Sequence, residues 1–258
     1  MSEGFRVLAV GDVVGRPGRE AVRKILVPLK EELGASFCIL NAENAAGGLG
    51  ITRKLVEEML SSGADVITTG NHIWAKKEAR GFVEDYPRLL VPANLSPVGN
   101  PGHRVYVQDG LAVFQLVGRL FMNPLVDDPF SSADRVLEKC DARIILVDFH
   151  AEATSEKGAL AVYLDGRVSA VFGTHTHVQT SDERVLPGGT GFISDIGMTG
   201  SWDGIIGVKA EEVLRTFRTG FGGRARPATG NPVLEGAVFE IDEKTGKCVS
   251  VERIRRFI

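Results

Sequence analysis

The stretch "FRVLAVGDVVGRPGREAVRKILVPLKEELGASFCILNAEN" (residues 5–44) holds an apolar run, a helical pattern and a second apolar run in succession. "FRVLAVGD" (5–12) reads as a strand. "RPGREAVRKILVPLKEELG" (16–34) reads as a helix entered through Pro17 and stopped at Gly34, with Pro28 as a potential kink. "FCILNAEN" (37–44) is a second strand. "TRKLVEEMLSSG" (52–63) follows as a helix with Thr52 as N-cap and Gly63 as C-cap, and "ADVITTGNH" (64–72) is a third strand. This βαβαβ run predicts a parallel sheet covered by helices.

Beyond residue 100 the pattern changes. "HRVYVQDGLAVFQLVG" (103–118) reads as two strands about an Asp109-Gly110 turn, a hairpin signal. "ARIILVDFHAE" (142–152), "RVSAVFGTHTH" (167–177) and "TGFISDIGMTG" (190–200) each read as a strand, "KAEEVLRTFRTG" (209–220) as a helix, and 235–257 as a closing hairpin turning at Thr245-Gly246. With no repeat or long linker, the expectation is one domain over residues 1–258, of mixed parallel and antiparallel α/β type.

Composition narrows the class. The 258 residues are 43% hydrophobic, with mean hydropathy +0.03, enough to bury a large core in a globular protein. A net charge of −3 and a pI near 6.0 offer no electrostatic footprint for duplex nucleic acid or a membrane surface. No signal peptide is read at the N-terminus, and no apolar run reaches the roughly 18 residues of a membrane span. Cys38, Cys140 and Cys248 are odd in number and form no CxxC pair, which predicts a reducing, cytoplasmic setting.

Chemistry-bearing residues gather at strand ends. Asp12 ends the first strand, Glu43 and Asn44 the second, Asn71 and His72 the third; His150 ends "RIILVDF", and His175 and His177 follow "VSAVF". In an α/β sheet, ligands bind outside the carboxyl ends of the strands, so these residues are expected to converge. Imidazole, carboxylate and amide donors suit first-row metals, and so many donors fit two ions sharing a carboxylate better than one tetrahedral zinc.

The ordered set "GD" (11–12), "GNH" (70–72), an isolated His and "GTHTH" (173–177) resembles the metallophosphoesterase (calcineurin-like) superfamily. Its YmdB-like branch is closer, through "GDVVGRPGR", "NAENAAGG", "TTGNHIW", "DFHAEATSEK", "GTHTHVQTSDE" and "ISDIGMTG". The resemblance implies a four-layer αββα sandwich of mixed sheets and a dinuclear-metal phosphodiesterase acting on small cyclic nucleotides, 2′,3′-cyclic nucleoside monophosphates first. It assigns Asp12, Glu43, Asn44 and His177 to one ion. Glu43 bridges to a second ion, which Asn71, His150 and His175 complete. Metal-generated hydroxide then attacks phosphorus and His72 acts as general acid; the competing role for His72 is a hydrogen bond to Asp12 or Glu43. Where the wider superfamily has Asp-x-His, this chain has Asp12-Val13-Val14, and Glu43 stands where a bridging Asp is usual. Losing a nitrogen donor and gaining the Asn44 oxygen favours harder ions: iron first, manganese next, with zinc or another divalent ion as alternatives.

Other features carry less. The glycines of "GDVVGRPGRE" match neither GxGxxG nor GxxxxGK[ST], and no Ser sits in a GxSxG elbow. Gly47, Gly48 and Gly50 let backbone bend near the metals. Lys157 and Trp202 are candidate substrate contacts; Trp74 reads as packing, and Thr154 or Ser155 as a cap for a helix starting near Glu156. A homo-oligomer is compatible with the sequence. Two rival functions remain: a phosphomonoesterase or phosphoprotein phosphatase using the same metals, and a regulatory metal- or nucleotide-binding protein with incidental hydrolysis.

Overall fold

Alternation along the first strand divides the apolar residues between two interiors. In the computed structural model, which describes residues 4–96, 100–123 and 125–258, Leu8 and Val10 pack in one cluster while Val7 and Ala9 pack in another. Successive strand side chains face opposite ways, so the first sheet is buried on both faces.

In chain order the elements are β1 (Phe5–Val10), β2 (Asp12–Val13), α1 (Gly15–Leu33), β3 (Phe37–Asn41), α2 (Arg53–Ser61), β4 (Val66–Thr68), β5 (Val105–Gln108), β6 (Leu111–Val117), α3 (Pro129–Leu137), β7 (Ile144–His150), α4 (Thr154–Tyr163), β8 (Ala170–Thr174), β9 (Arg184–Val185), β10 (Gly191–Ile193), β11 (Met198–Ser201), α5 (Ala210–Thr219), β12 (Pro232–Ile241) and β13 (Cys248–Phe257). Short 3₁₀ turns occupy residues 73–85 between β4 and β5. One sheet has the order β2-β11-β12-β1-β3-β4, with β13 also paired to β12; the other has the order β5-β6-β7-β8-β10-β9. Strands β1, β3 and β4 run parallel, as do β6, β7, β8 and β10, while β12 and β5 pair antiparallel with β1 and β6.

Three hydrophobic clusters mark the interfaces of four layers. Leu26 and Leu29 of α1 and Val56 and Met59 of α2 pack on the outer face of the first sheet. Val7, Ile39, Leu146, Phe172 and Phe239 fill the space between the sheets. Ala133 of α3 and Leu160 and Ala161 of α4 pack against Phe114, Val147 and Phe149 on the outer face of the second sheet. This is the αββα sandwich that the resemblance implied.

The local readings mostly hold. Gly34 caps α1 in the left-handed conformation, α1 runs through Pro28, and Asp109 (φ 51°) and Gly110 (φ 78°) make the tight turn of the β5–β6 hairpin. Several expectations need correction. "TGFISDIGMTG" is two strands, not one: β10 lies in the second sheet and β11 in the first, and residues 194–197 carry the chain between them. Helix α2 has Thr52 at its N-cap as expected, though without a side-chain cap bond, and ends at Ser62, with Gly63 (φ 108°) one residue beyond. Ala153 precedes α4, so Thr154 and Ser155 are inside that helix rather than capping it. Helix α3 has no counterpart in the reading; Asp128 caps it by accepting from the Ser131 amide at 2.8 Å, with Pro129 at its first turn.

The Phe172 and Phe239 rings meet across the two sheets at a centroid distance of 5.9 Å, and both are buried. We expect Phe172→Ala to lower unfolding stability by about 3–5 kcal/mol, measured as a shifted urea midpoint at unchanged slope.

Candidate metal centre

The parallel strands of each sheet end on the same side, and the loops leaving β1, β3, β4, β7 and β8 bring their polar residues together there. Asp12, Glu43, Asn44 and His150 are buried, and Asn71, His72, His175 and His177 are partly buried. The seven metal-ligand candidates and His72 read from the sequence belong to this one neighbourhood, linked by the contacts below.

Hydrogen bonding fixes which atoms face inward. The Thr174 hydroxyl donates to Asp148 Oδ1 at 2.7 Å, so at 2.8 Å it accepts from His150 Nδ1. Neutral His150 therefore carries its proton on Nδ1 and presents the Nε2 lone pair. That Nε2 lies 2.9 Å from Asn71 Oδ1, 3.2 Å from Glu43 Oε1 and 3.1 Å from His175 Nδ1. His175 Nε2 faces Glu152 Oε2 at 3.2 Å, so its outer nitrogen takes the proton and Nδ1 is left as a donor atom.

A second set forms beside it. His177 Nδ1 donates to the Ile206 carbonyl at 2.9 Å, leaving Nε2 to face Asn44 Oδ1 at 3.2 Å and Asp12 Oδ1 at 4.0 Å. The Asn44 amide is oriented by donation to the Gly48 carbonyl at 3.2 Å. Asp12 Oδ1 is buried without a hydrogen-bond partner, while Oδ2 accepts from the His175 amide at 3.1 Å. Buried lone pairs that face one another without protons between them repel, and a cation among them removes that cost. Both sets fit a metal ion on this ground; Glu43, His150 and His175 offer donor atoms within 4.8 Å of one another.

Electrostatics agree. Burial pushes the Asp12 carboxyl up to about 6. Burial also works to raise Glu43, but the neighbouring His150 and His72 outweigh it and hold that carboxylate well below its ordinary range. Burial works against a charge on His150, yet Glu43 and Asp12 raise its proton affinity above the usual histidine value, a field equally favourable to a metal cation. Burial, the largest cause, lowers His175 to about 3, so its lone pair is available at neutral pH.

The remaining readings sort by position. His72 donates its backbone amide, not its ring, to Glu43 Oε2 at 3.1 Å; its Nε2 lies 3.5 Å from Asn71 Nδ2, beside the donor set. Burial lowers its pKa from the ordinary value, and Glu43 opposes this. Lys157 does not serve as a substrate contact: it is fully buried and bonded to Asp195 at 2.7 Å. Trp202 is half-exposed, with Arg255 over its face at 4.9 Å and Phe257 against its edge. Trp74 packs on the α1–α2 side, as read. Sequence reasoning missed the polar layer beneath the donors. Asp148 also accepts from Gln115 at 2.7 Å and Asn41 at 3.3 Å, and Asn41 accepts from the Glu43 amide at 3.1 Å. The available signal was an Asp and a Gln inside otherwise apolar strands, "IILVDFH" and "LAVFQLV".

Gly70 (φ 141°) makes the approach of β4 to the site feasible. A Cβ there would lie 2.3 Å from Glu43 Oε2 and 2.7 Å from His150 Nε2, inside the donor set. We expect Gly70→Ala to fold, by circular dichroism, yet to lose bound metal in elemental analysis. Thr174→Val removes the acceptor that fixes the His150 tautomer, and metal affinity measured by calorimetry should fall about 10–100-fold.

Known proteins place this arrangement in context. The family described as YmdB-like protein matches residues 8–254. The chain is 50% identical over 256 residues to the 2′,3′-cyclic-nucleotide 2′-phosphodiesterase of Bacillus subtilis (strain 168), covering 97% of this chain and 96% of that one. It superposes on a novel phosphatase of Mycoplasma pneumoniae with TM-score 0.93 at 33% identity, covering 100% of this chain and 95% of the other. A hypothetical protein from Thermus thermophilus matches with TM-score 0.91 at 40% identity, covering 98% and 99% respectively. By a match spanning nearly its whole length, the chain belongs to the YmdB-like protein family.

Proposed function

We propose that this chain, acting as one domain, is a metal-dependent phosphodiesterase that opens small cyclic nucleotides, 2′,3′-cyclic nucleoside monophosphates first. The observation that carries the reading is the pair of facing lone-pair sets with His72 at their edge; the name of the half-identical relative supplies the substrate class. In this reading Asp12, Glu43, Asn44 and His177 would hold one ion, and Asn71, His150 and His175, with Glu43, would hold a second. A donor set rich in carboxylate and amide oxygen suits iron, then manganese, over zinc. No helix among the described residues is long and apolar enough to cross a membrane, and a cytoplasmic setting belongs to the reading through the free cysteines Cys38, Cys140 and Cys248.

When bound, the ions supply Lewis-acid charge at the phosphoryl oxygens and lower the pKa of water towards about 7. The chain's own residues do the rest. Asp148 and Thr174 keep His150 in the tautomer that presents Nε2, and Glu152 keeps His175 in the one that presents Nδ1. His72 holds the proton for the departing ribose oxygen. Burial keeps His72 below its ordinary pKa, and the negative charge of a bound phosphate works with Glu43 to favour the protonated form. One water is consumed: its oxygen bonds to phosphorus, the bond from phosphorus to O2′ breaks, and O2′ takes the proton from His72. The water's surplus proton returns to solvent and then to His72, leaving a nucleoside 3′-phosphate.

Chelation should abolish hydrolysis of 2′,3′-cyclic AMP, and iron or manganese should restore it. Turnover of p-nitrophenyl phosphate above that of the cyclic diester would sink the diesterase reading in favour of a monoesterase. We expect His72→Ala to keep both metals and lose about 10²–10⁴ in kcat, the range for a general acid. Full turnover with metals intact would remove His72 from that role.

A further inference from the structure

The chain leaves the first sheet after β11 and returns to it at β12, and the excursion between them touches the metal centre at both ends. At its start, Ile206 presents its carbonyl to His177 Nδ1 at 2.9 Å from a left-handed conformation (φ 47°) that a β-branched residue rarely adopts. At its far end, Arg224 Nη2 donates to the Gly47 carbonyl at 2.9 Å. Gly47 precedes Gly48, whose carbonyl orients the Asn44 amide, so the guanidinium is seated on the rim of the loop that carries a donor residue. Between these ends, α5 buries no residue. The arm is held instead by Arg226, whose amide and side chain bond Glu212 of α5 at 2.7 and 2.6 Å, and by the bridge between Val208 and Pro227.

Resting on the phosphodiesterase reading, we infer that Arg224 is a phosphate-binding residue, contributed by this excursion to grip the non-bridging oxygens of the substrate and of the phosphomonoester product. A guanidinium has five N–H donors in a planar fork that matches phosphate oxygens two at a time. Arg224 uses one of them on a carbonyl, and no carboxylate lies within ion-pair distance of it among the described residues. Two other cations near the centre are committed elsewhere. Lys157 is buried against Asp195, and Arg19 reaches the Ala45 carbonyl at 2.6 Å with Glu58 at 3.9 Å. A diester carries one negative charge and its monoester product up to two, so a cation on this rim holds the product as well as the substrate.

The test compares wild type with Arg224→Gln and Arg224→Lys, using Arg218→Gln on exposed α5 as a control. Three readouts are taken: kinetics on 2′,3′-cyclic AMP, calorimetric binding of inorganic phosphate to the metal-loaded protein, and metal content. The expected result is a rise of about tenfold to a hundredfold in KM and in the phosphate dissociation constant for Arg224→Gln, the range of a charge-assisted hydrogen bond. Arg224→Lys falls between, because it keeps the charge and loses the fork, while Arg218→Gln matches wild type and metal content stays constant throughout. KM and phosphate affinity of Arg224→Gln within twofold of wild type would overturn the assignment. So would loss of metal in that variant, which would show Arg224 acting only through the Asn44 loop. If wild type does not turn over the cyclic nucleotide, the phosphodiesterase reading fails by itself, and phosphate binding still decides the role of Arg224.

Discussion

Thr174 has a single hydroxyl proton, and Asp148 accepts it in the buried space between the β-sheets. The orientation of the His150 donor set follows from that commitment. Thr174 can then only accept from His150, which sets the His150 tautomer and turns a lone pair towards Glu43, Asn71 and His175. Burying a carboxylate among neutral partners is costly, and burial pushes the Asp148 pKa above its ordinary value. Donors from Gln115, Asn41 and Thr174 offset part of that cost. They come from strands of both sheets, so the site is assembled only when the sandwich has closed.

The architecture explains why one rim collects so many polar groups. Parallel strands in register end together, and here two sheets stacked face to face both end at the same place. Val10 pairs with Leu40 at the end of β1 and β3, and His150 pairs with Thr174 at the end of β7 and β8. Each sheet therefore contributes part of the candidate donor set: Asp12, Glu43, Asn44 and Asn71 from the first, His150, His175 and His177 from the second. Packing of Phe172 against Phe239 between the sheets thus fixes the distance across the site as well as the core.

The fold was legible where local chemistry decides it. The βαβαβ run, Gly34 as a left-handed stop and the Asp109-Gly110 turn are local events, and each appears where the sequence places it. The double strand at residues 191–201 was not, because two apolar halves of one run look alike whether they stay in one sheet or cross between two. The donors were legible because His and Asn after an apolar run are conspicuous. Asp148, Gln115 and Asn41 were harder to find: their importance lies in which strands become neighbours, and a polar residue inside an apolar run has no meaning until that pairing is known. Lys157 misled for the same reason, since from its sequence neighbours alone a lysine beside "DFHAEATSE" looks ready for a ligand. In the structure its charge is consumed by Asp195, a residue 38 positions away.

That buried pair has its own bearing on the site. His175 and His177 both sit at positive φ, 102° and 63°, conformations that cost about 1–3 kcal/mol each for a non-glycine residue. Such strain persists only when neighbours over-determine it. Asp195 Oδ2 accepts from the Thr176 amide at 3.1 Å, midway between the two histidines, while the Asp12 carboxylate accepts from the His175 amide. Lys157 and the Gly197 amide both donate to the Asp195 carboxylate, and the Asp195 amide donates to the Thr180 hydroxyl at 3.0 Å. A buried ion pair is a poor source of net stability against an apolar replacement, but breaking one by removing a single partner is severe. Its consequence here is geometric: it holds one short turn in a strained shape, and that shape lets neighbouring histidines reach two different sets of donors.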